Sequence, residues 1–236
     1  MAPKNKKSKK PDLKNDDMEF LDAIINPKID IVVSRYNRDT TWTEKFKGVY
    51  SNVNVMIYDK ENPTNPYNIP VNKGNEASTF LKYIVDYYDN LPEYTFFCHD
   101  EEMAWHHSGS IINHFEIALM CKKPYYNVND KIILGDIKGN DYGYQNILDW
   151  YAEYIQEFIP IEKLPDPDWT NGYRGSAQFL VNKDTIKVLP KRFYEKLYNW
   201  IITTPMTSAQ SGRYMEWTWH LFWYIYPNLI VKKNKK

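Results

Sequence analysis

Short β-forming runs alternate with a helical segment through the first hundred residues, and this order limits the possible folds more than any other feature. Residues 29–33, 54–58 and 94–98 are rich in β-branched and aromatic side chains, as strands are. Residues 75–90, between the second and third runs, carry apolar side chains at helical spacing. Because a strand, a helix and a further strand in succession form a parallel pair, we predict an α/β fold with a mostly parallel central sheet flanked by helices.

The rest of the chain adds helical patterns and one more short strand. A β-forming run at 177–181 predicts this strand, and residues 121–146 have the Gly, Asn and Asp content of loops. Four further segments have helical periodicity: 110–120, 147–158, 190–202 and 214–224. The sequence contains no internal repeat, so we expect residues 27–231 to form a single catalytic-type α/β domain.

Lysines are concentrated at the two ends of a chain whose formal net charge is zero. Residues 1–10 contain five lysines and residues 232–236 contain four. With those nine set aside, 21 basic and 30 acidic side chains remain. A folded part with excess negative charge argues against a nucleic-acid partner. We therefore predict a flexible basic tail at 1–26, with a short amphipathic piece at 18–25, and a basic tail at 232–236.

The cysteine content and hydropathy pattern indicate a reducing compartment. Two cysteines, Cys98 and Cys121, are too few for a disulfide framework or a structural zinc site. The Lys-rich start lacks the apolar core of a signal peptide, and no apolar run reaches the roughly 18 residues of a membrane span. We therefore expect a cytoplasmic protein without a transmembrane segment, in the host cytoplasm if the source is viral.

Polar residues follow each of the three predicted strands in the first hundred residues. The groups are Arg35-Tyr36-Asn37, Tyr58-Asp59-Lys60 and His99-Asp100-Glu101. Ligands of open α/β sheets bind beyond the carboxyl ends of the strands. The pattern therefore predicts a binding site at this edge of the sheet, although any sheet has polar loops at both ends.

The residues after the third run can serve two kinds of metal chemistry. Asp100 and Glu102 alternate after a strand, as two oxygen ligands of one hard divalent cation do, but a solvated turn has the same pattern. His99 and His106 lie beside them in a histidine-dense segment without a recognised zinc spacing. A metal-dependent hydrolase that uses His99, Asp100 and His106 is therefore an alternative.

Two further motifs have both a functional and a structural interpretation. Glu216 and His220 are four residues apart and so lie on one face of a predicted helix. They can be a general base and its partner, or a structural pair in an aromatic core. Lys73 and Gly74 open the helix at 75–90, an arrangement that suits anions but also a simple turn. Walker, Gly-x-Gly-x-x-Gly and Gly-x-Ser-x-Gly motifs are absent from the sequence.

Several segments together resemble the domain of unknown function 3431, a family found in fungi, bacteria and large DNA viruses. They follow in family order from about residue 30 to residue 224. The matching stretches are 31–37 (IVVSRYN) with Trp42, 71–77 (VNKGNEA), 83–92 (YIVDYYDNLP), 97–99 (FCH) with Trp105 and His106, 177–181 (AQFLV), and 211–216 (SGRYME) with Trp219 and His220. The chain departs from the family pattern at Asn75, where a basic residue is common, and at Asp100, where a small residue is usual.

The layout of this family resembles a nucleotide-sugar transferase of the GT-A type, and this fold-level analogy implies roles for individual residues. Glu216 would be the catalytic base that deprotonates the acceptor hydroxyl. The donor would be held by Arg35, Tyr36, Asn37, Asp59, Lys73 and His99. A Mn²⁺ or Mg²⁺ ion would be held by Asp100, Glu102 and His220. The sugar and acceptor would contact Trp105, Gln178 and Trp217.

These implications lead to a glycosyltransferase as the predicted function. It would move a sugar, with metal assistance, from a nucleotide-sugar donor to a glycan or another hydroxyl acceptor. The metal-dependent hydrolase is one alternative. A carbohydrate-binding protein without enzymatic activity is another, in which the aromatic side chains bind the ligand and Glu216 is structural.

Overall fold

Five strands form one open sheet in the computed structural model, which describes residues 26–47, 50–131, 144–164 and 173–233. The strands are β1 (Ile29–Arg35), β2 (Val53–Asp59), β3 (Tyr94–His99), β4 (Tyr125–Asn127) and β5 (Phe179–Asn182). Their order is β2-β1-β3-β5-β4. The mixed α/β class and four predicted strands are confirmed, whereas the three-residue strand β4 lies in the predicted loop segment.

The sheet is mixed, so the prediction of a mostly parallel sheet is not confirmed. β1 pairs parallel with both β2 and β3. β5 pairs antiparallel with both β3 and β4. The chain passes along the carboxyl edge through residues 173–178 before β5 begins, so β5 enters the sheet from that edge and runs opposite to its neighbours.

Eight α-helices cover the sheet within the described residues. They are α1 (Glu44–Lys47), α2 (Ala77–Tyr87), α3 (Ile111–Cys121), α4 (Tyr144–Tyr154), α5 (Lys183–Lys187), α6 (Lys191–Thr203), α7 (Ser208–Glu216) and α8 (Tyr226–Lys233). Short 3₁₀ turns lie at Thr41–Thr43, Tyr88–Asn90 and Ile161–Lys163. The predicted helices at 75–90, 110–120, 147–158 and 190–202 are confirmed with shifted ends.

The helix predicted at 214–224 is divided into two pieces. α7 begins earlier, at Ser208, because the Thr207 hydroxyl accepts a hydrogen bond from the backbone N–H of Gln210, and the Gln210 side-chain oxygen accepts one from the backbone N–H of Thr207. It ends at Glu216, and a turn then leads into a π-helical segment at Leu221–Ile225. Segments of this kind are frequent at functional sites.

Each face of the sheet has its own apolar core, because successive strand residues point to opposite sides. Val32, Phe97 and Phe179 face one core, which α2, α6 and the stacked indoles of Trp219 and Trp223 complete. Ile31, Phe96 and Leu180 face the other core, against Trp42, Phe46 and Phe115. Both layers fix the strand register that brings the ends of β1, β2 and β3 together.

The predicted tails fall mostly outside the described residues. The stretch 1–25, with its amphipathic piece, is not among them, and neither is 234–236. α8 extends to Lys233, so the start of the predicted basic tail at 232–236 is helical. In the part of the chain that the structure describes, every helix is too short or too polar to cross a membrane.

Candidate active site at the carboxyl edge of the sheet

The carboxyl ends of the three parallel strands lie side by side. Arg35 at the end of β1 is level with Asp59 at the end of β2, and Ser34 is level with His99 at the end of β3. Gln178 precedes the antiparallel strand β5 and therefore lies at the same edge. The loops that follow β1, β2 and β3 meet here, together with the start of α2 and the end of α7.

Arg35, Asp59 and Asn37 hold the first two loops against each other. Nη1 of Arg35 lies 2.6 Å from Oδ2 of Asp59, whose other oxygen accepts the backbone N–H of Glu61 at 2.9 Å. The Asn37 backbone N–H donates to Oε2 of Glu61 at 2.7 Å, and Asn37 has a left-handed φ of 57°. Asp59 is buried, and its oxygens are engaged by the protein.

Tyr36 joins the loop after β1 to the loop after β3. Its backbone N–H donates to Oδ2 of Asp100 at 2.7 Å, and the indole N–H of Trp42 donates to the Asp100 carbonyl oxygen at 2.9 Å. The Tyr36 side chain itself is 52% exposed. The structure thus places an exposed aromatic ring just after the end of β1.

Asp100 and Glu102 face different neighbours. Both Glu102 oxygens accept from Nζ of Lys45, at 2.9 and 2.8 Å, and Oε1 also accepts from the Ser110 hydroxyl at 2.8 Å. Glu102 therefore fastens α1 to the start of α3, whereas Asp100 binds the backbone of Tyr36. Within the described ranges, no three His, Cys, Asp or Glu residues lie together as a metal site.

His220 lies away from both acids. Its ring stacks on Tyr173 with centroids 4.9 Å apart. It lines a cavity of about 350 Å³ beside β4, together with Tyr125, Arg174 and Tyr224. Asp100, Glu102 and His220 therefore do not form the donor set expected for Mn²⁺ or Mg²⁺, so these residues do not fit the ion that the resemblance implies.

The loop before α2 is held by Lys73 and Gly74. Nζ of Lys73 donates to the carbonyl oxygens of Thr204 and Met206, at 3.2 and 2.5 Å, so its ammonium is bound to the loop that follows α6. Gly74 has a φ of +66°, and a Cβ there would lie 2.1 Å from Cδ1 of Ile201. The predicted anion contact of Lys73 is thus a contact with backbone carbonyl oxygens.

Four charged side chains meet around Asn75, and we name Lys60, Glu76, Arg213 and Glu216 the charged cluster. Nζ of Lys60 donates to the Asn75 carbonyl oxygen. Nη1 of Arg213 lies 3.7 Å from Oε2 of Glu216. The Asn75 side chain hydrogen-bonds to Glu216 and fits against Gly212, where a Cβ would lie 2.8 Å from Nδ2 of Asn75.

The pKa values of both carboxyl groups in the charged cluster are raised towards neutral pH. Burial raises the pKa of Glu76 to about 7, and Lys60 and Arg213 partly oppose this rise. Burial raises the pKa of Glu216 to about 8, and the nearby Glu76 adds to this rise. Oε1 of Glu76 has no hydrogen-bond partner among the residues described. Carboxyl groups tuned in this way can accept and return a proton near pH 7.

A column of three rings leads from the end of β3 to the surface. The rings of His99 and His106 stack with centroids 4.8 Å apart, and the Trp105 ring lies 4.1 Å from that of His106. Burial lowers the pKa of His99 to about 4 and that of His106 to about 3, so both imidazoles are neutral at pH 7. Trp105 is 67% exposed and offers a flat face to a ligand.

Gln178 and Trp217 support the site from beneath. Gln178 is fully buried; its Oε1 accepts the His99 backbone N–H at 3.3 Å, and its Nε2 donates to Asn129 at 3.3 Å. Trp217 is 4% exposed and stacks on Tyr214. Their contacts are those of positioning residues rather than of residues that touch an acceptor.

The sequence indicated a role for Glu216 but none for Lys60 or Glu76. Lys60 stood in the polar group after the second strand, and Glu76 at the start of the clearest helix. These placements were the available signals. Neither position indicated that the two side chains would meet a helix that lies more than a hundred residues later in the sequence.

The two raised pKa values predict that stability falls as pH rises through neutrality. The ordinary Glu pKa is 4.5, so between 4.5 and about 7 or 8 the folded chain holds protons that the unfolded chain has lost. The lowered pKa values of His99 and His106 make stability rise with pH, but only below their ordinary pKa of 6.5. The pKa of Lys60, lowered to about 8, has the same effect only above about pH 8. Between pH 6.5 and 8 the carboxyl groups therefore dominate.

Thermal unfolding across that interval checks the prediction. The free energy of unfolding should fall by about 1–2 kcal/mol per pH unit. Glu76→Gln and Glu216→Gln should each flatten the slope, while Glu153→Gln, on the exposed surface of α4, should leave it unchanged. Equal slopes in all four proteins would contradict the assigned pKa shifts.

The comparisons with known proteins identify a family but no activity. Residues 31–234 match the family described as a protein of unknown function, DUF3431. The search of curated proteins and the search of solved structures both returned no match. The family match covers most of the chain, including the five described strands except for the first two residues of β1, and the whole charged cluster. The chain therefore belongs to the DUF3431 family.

Proposed function

We propose that this protein is a glycosyltransferase that moves a sugar from a nucleotide-sugar donor to a hydroxyl group of a glycan or another acceptor. The charged cluster carries the proposal: Glu216 and Glu76 have raised pKa values beside the cations of Lys60 and Arg213. A base and positive charge are what such a transfer requires at neutral pH. Their place at the carboxyl edge is where open α/β sheets bind ligands.

In the proposed reaction Glu216 accepts the proton of the acceptor hydroxyl. The hydroxyl oxygen forms a bond to the anomeric carbon of the sugar, and the bond from that carbon to the donor phosphate oxygen breaks. The electron pair of the broken bond stays on that oxygen, so a nucleoside diphosphate leaves. The raised pKa of Glu216 lets it hold the proton once transferred.

Two exposed aromatic rings favour this chemistry over a site for a small ion. Tyr36 is 52% exposed after β1, and Trp105 is 67% exposed after β3. Nucleobases and the C–H faces of sugars both stack on aromatic rings. Asn37 and the Arg35–Asp59 pair shape the loop that presents Tyr36.

A thermal-shift screen of the full chain against nucleotide sugars tests the proposal. A ligand that binds only the folded state stabilises it by about 2.7 kcal/mol at a hundred times its Kd, which raises the melting temperature by several degrees. We expect a shift with one nucleotide class, reduced in Tyr36→Ala or Trp105→Ala. Tyr224→Ala, a matched exposed tyrosine on the π-helical segment, should keep the shift.

Other outcomes of the screen would favour the other functions. A shift with free glycans but with no nucleotide sugar would contradict the transferase and favour a carbohydrate-binding protein. A shift with Zn²⁺ alone, lost in His99→Ala or His106→Ala, would favour the metal-dependent hydrolase.

A further inference from the structure

Two cationic side chains from distant parts of the chain reach the same buried carboxyl group. The Lys60 ammonium and the Arg213 guanidinium both act on Glu76, which is 6% exposed. Asn75 lies between them: its carbonyl oxygen accepts a hydrogen bond from Lys60, and its side chain rests on Gly212, next to Arg213. Both positive charges therefore lie near the start of α2.

The same two cations also act electrostatically on the ring column of His99, His106 and Trp105. Lys60 acts on His99, and Arg213 acts on His106. Because the His99 and His106 rings stack 4.8 Å apart, both cations act on the ring column that ends at the exposed Trp105. A ligand that stacks on Trp105 would thus carry its charged groups towards Lys60 and Arg213.

The acids expected to hold a divalent cation are engaged elsewhere. Asp100 accepts the Tyr36 backbone N–H at 2.7 Å, and Glu102 binds Lys45 and Ser110. A cation at either carboxylate would compete with these donors. In the described part of the chain, no third ligand completes a metal site with them.

We infer that Lys60 and Arg213 bind the diphosphate of the donor and supply the positive charge that its departure requires, in place of a divalent cation held by Asp100 and Glu102. The inference rests on the proposed function and specifies how that site takes its donor. A guanidinium can bind phosphate oxygens in pairs, and an ammonium adds a compact charge. Both stabilise the negative charge that develops on the phosphate oxygen as the sugar leaves.

The two glutamates make it feasible for Lys60 and Arg213 to exchange a carboxyl partner for the diphosphate. Glu76 and Glu216 balance the charges of Lys60 and Arg213 within the cluster. Burial already favours the protonated form of each carboxyl group, so an incoming diphosphate can take over as the counter-ion at a small electrostatic cost.

Calorimetric titration of the full chain with UDP, GDP, CDP and ADP tests the inference, first with EDTA and then with Mn²⁺. We expect one of these nucleotides to bind in EDTA, with a Kd that Mn²⁺ changes by less than about threefold. Lys60→Met and Arg213→Met should each weaken this binding by about tenfold or more, because each removes a charged hydrogen-bond donor to phosphate.

Matched variants separate the site from general effects of charge. Lys45→Met removes an ammonium that pairs with Glu102 at the surface, and Arg192→Met removes an exposed guanidinium of α6 that pairs with Glu157. Neither should change the Kd. Melting curves without ligand establish that each variant is folded, and the two site variants serve as replicates if one of them fails to fold.

Two results would overturn the inference while leaving the proposed function in place. One is binding that requires Mn²⁺ and is lost in Asp100→Asn. The other is binding in EDTA that neither Lys60→Met nor Arg213→Met weakens. Failure of every nucleotide to bind under both conditions would contradict the proposed function itself, and the inference with it.

Discussion

Replacing Glu216 with glutamine is expected to lower the rate of sugar transfer by about 10²- to 10⁴-fold, the range that loss of a general base produces. The amide has nearly the shape of the carboxyl group but cannot accept the acceptor proton. The side chain is only 15% exposed, hydrogen-bonds to Asn75 and lies 3.7 Å from Arg213. A nearly isosteric change should therefore leave the surrounding contacts and the Kd for nucleotide close to those of the natural protein.

The measurement pairs a transfer assay with nucleotide titration, using the donor found in the screen. A fall in kcat with an unchanged Kd assigns Glu216 to the chemical step. Glu153→Gln makes the same chemical change on the surface of α4 and should retain full activity. If Glu216→Gln transfers sugar as fast as the natural chain, Glu216 is structural and the base must be sought elsewhere in the cluster.

The pH dependence of the reaction gives a second view of the same residue. A base must be deprotonated to act, so activity should rise as pH approaches the raised pKa of Glu216, about 8. Stability changes in the opposite direction over the same interval, because ionisation of a buried carboxyl group is unfavourable. Activity and stability should therefore diverge as pH rises, as expected where a site is tuned for function.

Replacing Gly74 with alanine is expected to destabilise the fold by about 3 kcal/mol. The residue has a φ of +66°, which costs an L-amino acid about 1–2 kcal/mol. The new Cβ would also lie 2.1 Å from Cδ1 of Ile201, and such overpacking typically costs a further 1–3 kcal/mol. The stiffer unfolded chain regains less than about 1 kcal/mol. The melting temperature should fall by roughly 10 °C.

Gly109 provides the matched control for this prediction. It also has a positive φ, +79°, but a Cβ there would meet no atom within 4 Å. Gly109→Ala should therefore show the backbone cost alone, and the difference between the two variants measures the contact with Ile201. In the Ile201→Ala background, Gly74→Ala should cost markedly less than in the natural chain. Equal losses at Gly74 and Gly109 would show that the loop before α2 relaxes without cost.

The early part of the fold could be predicted because its signals are local. The β-branched run that begins at Ile29 and the apolar spacing that begins at Ala77 each encode one element. The direction of β5 could not be predicted, because it depends on the route that the chain takes between distant elements. The division of the last predicted helix depends on the Thr207–Gln210 capping pair and on packing around Trp219, and the periodicity of 214–224 reports neither.

The site could be predicted in part for the same reason. A polar edge after β1, β2 and β3 follows from the parallel pairing, and Glu216 lies there as a carboxyl group with a raised pKa. Lys73 and Glu102 were assigned to ligands, but each is bound by nearby protein groups. Short-range patterns show which residues have suitable chemistry. They do not show which of those residues are already bound by other groups of the protein in the folded structure.

The contacts of Asn75 with α7 mean that the charged cluster can assemble only after α7 has been synthesised. Synthesis of a chain as far as β4 already provides Lys60 and Glu76, but the partners that hold Asn75 in place, at Ser208, Gly212 and Glu216, follow more than 130 residues after it. A nascent or truncated protein therefore has half of the charges and no base beside them. Under the proposed function, transfer activity would arise only when α7 docks, so a partly made chain would lack it.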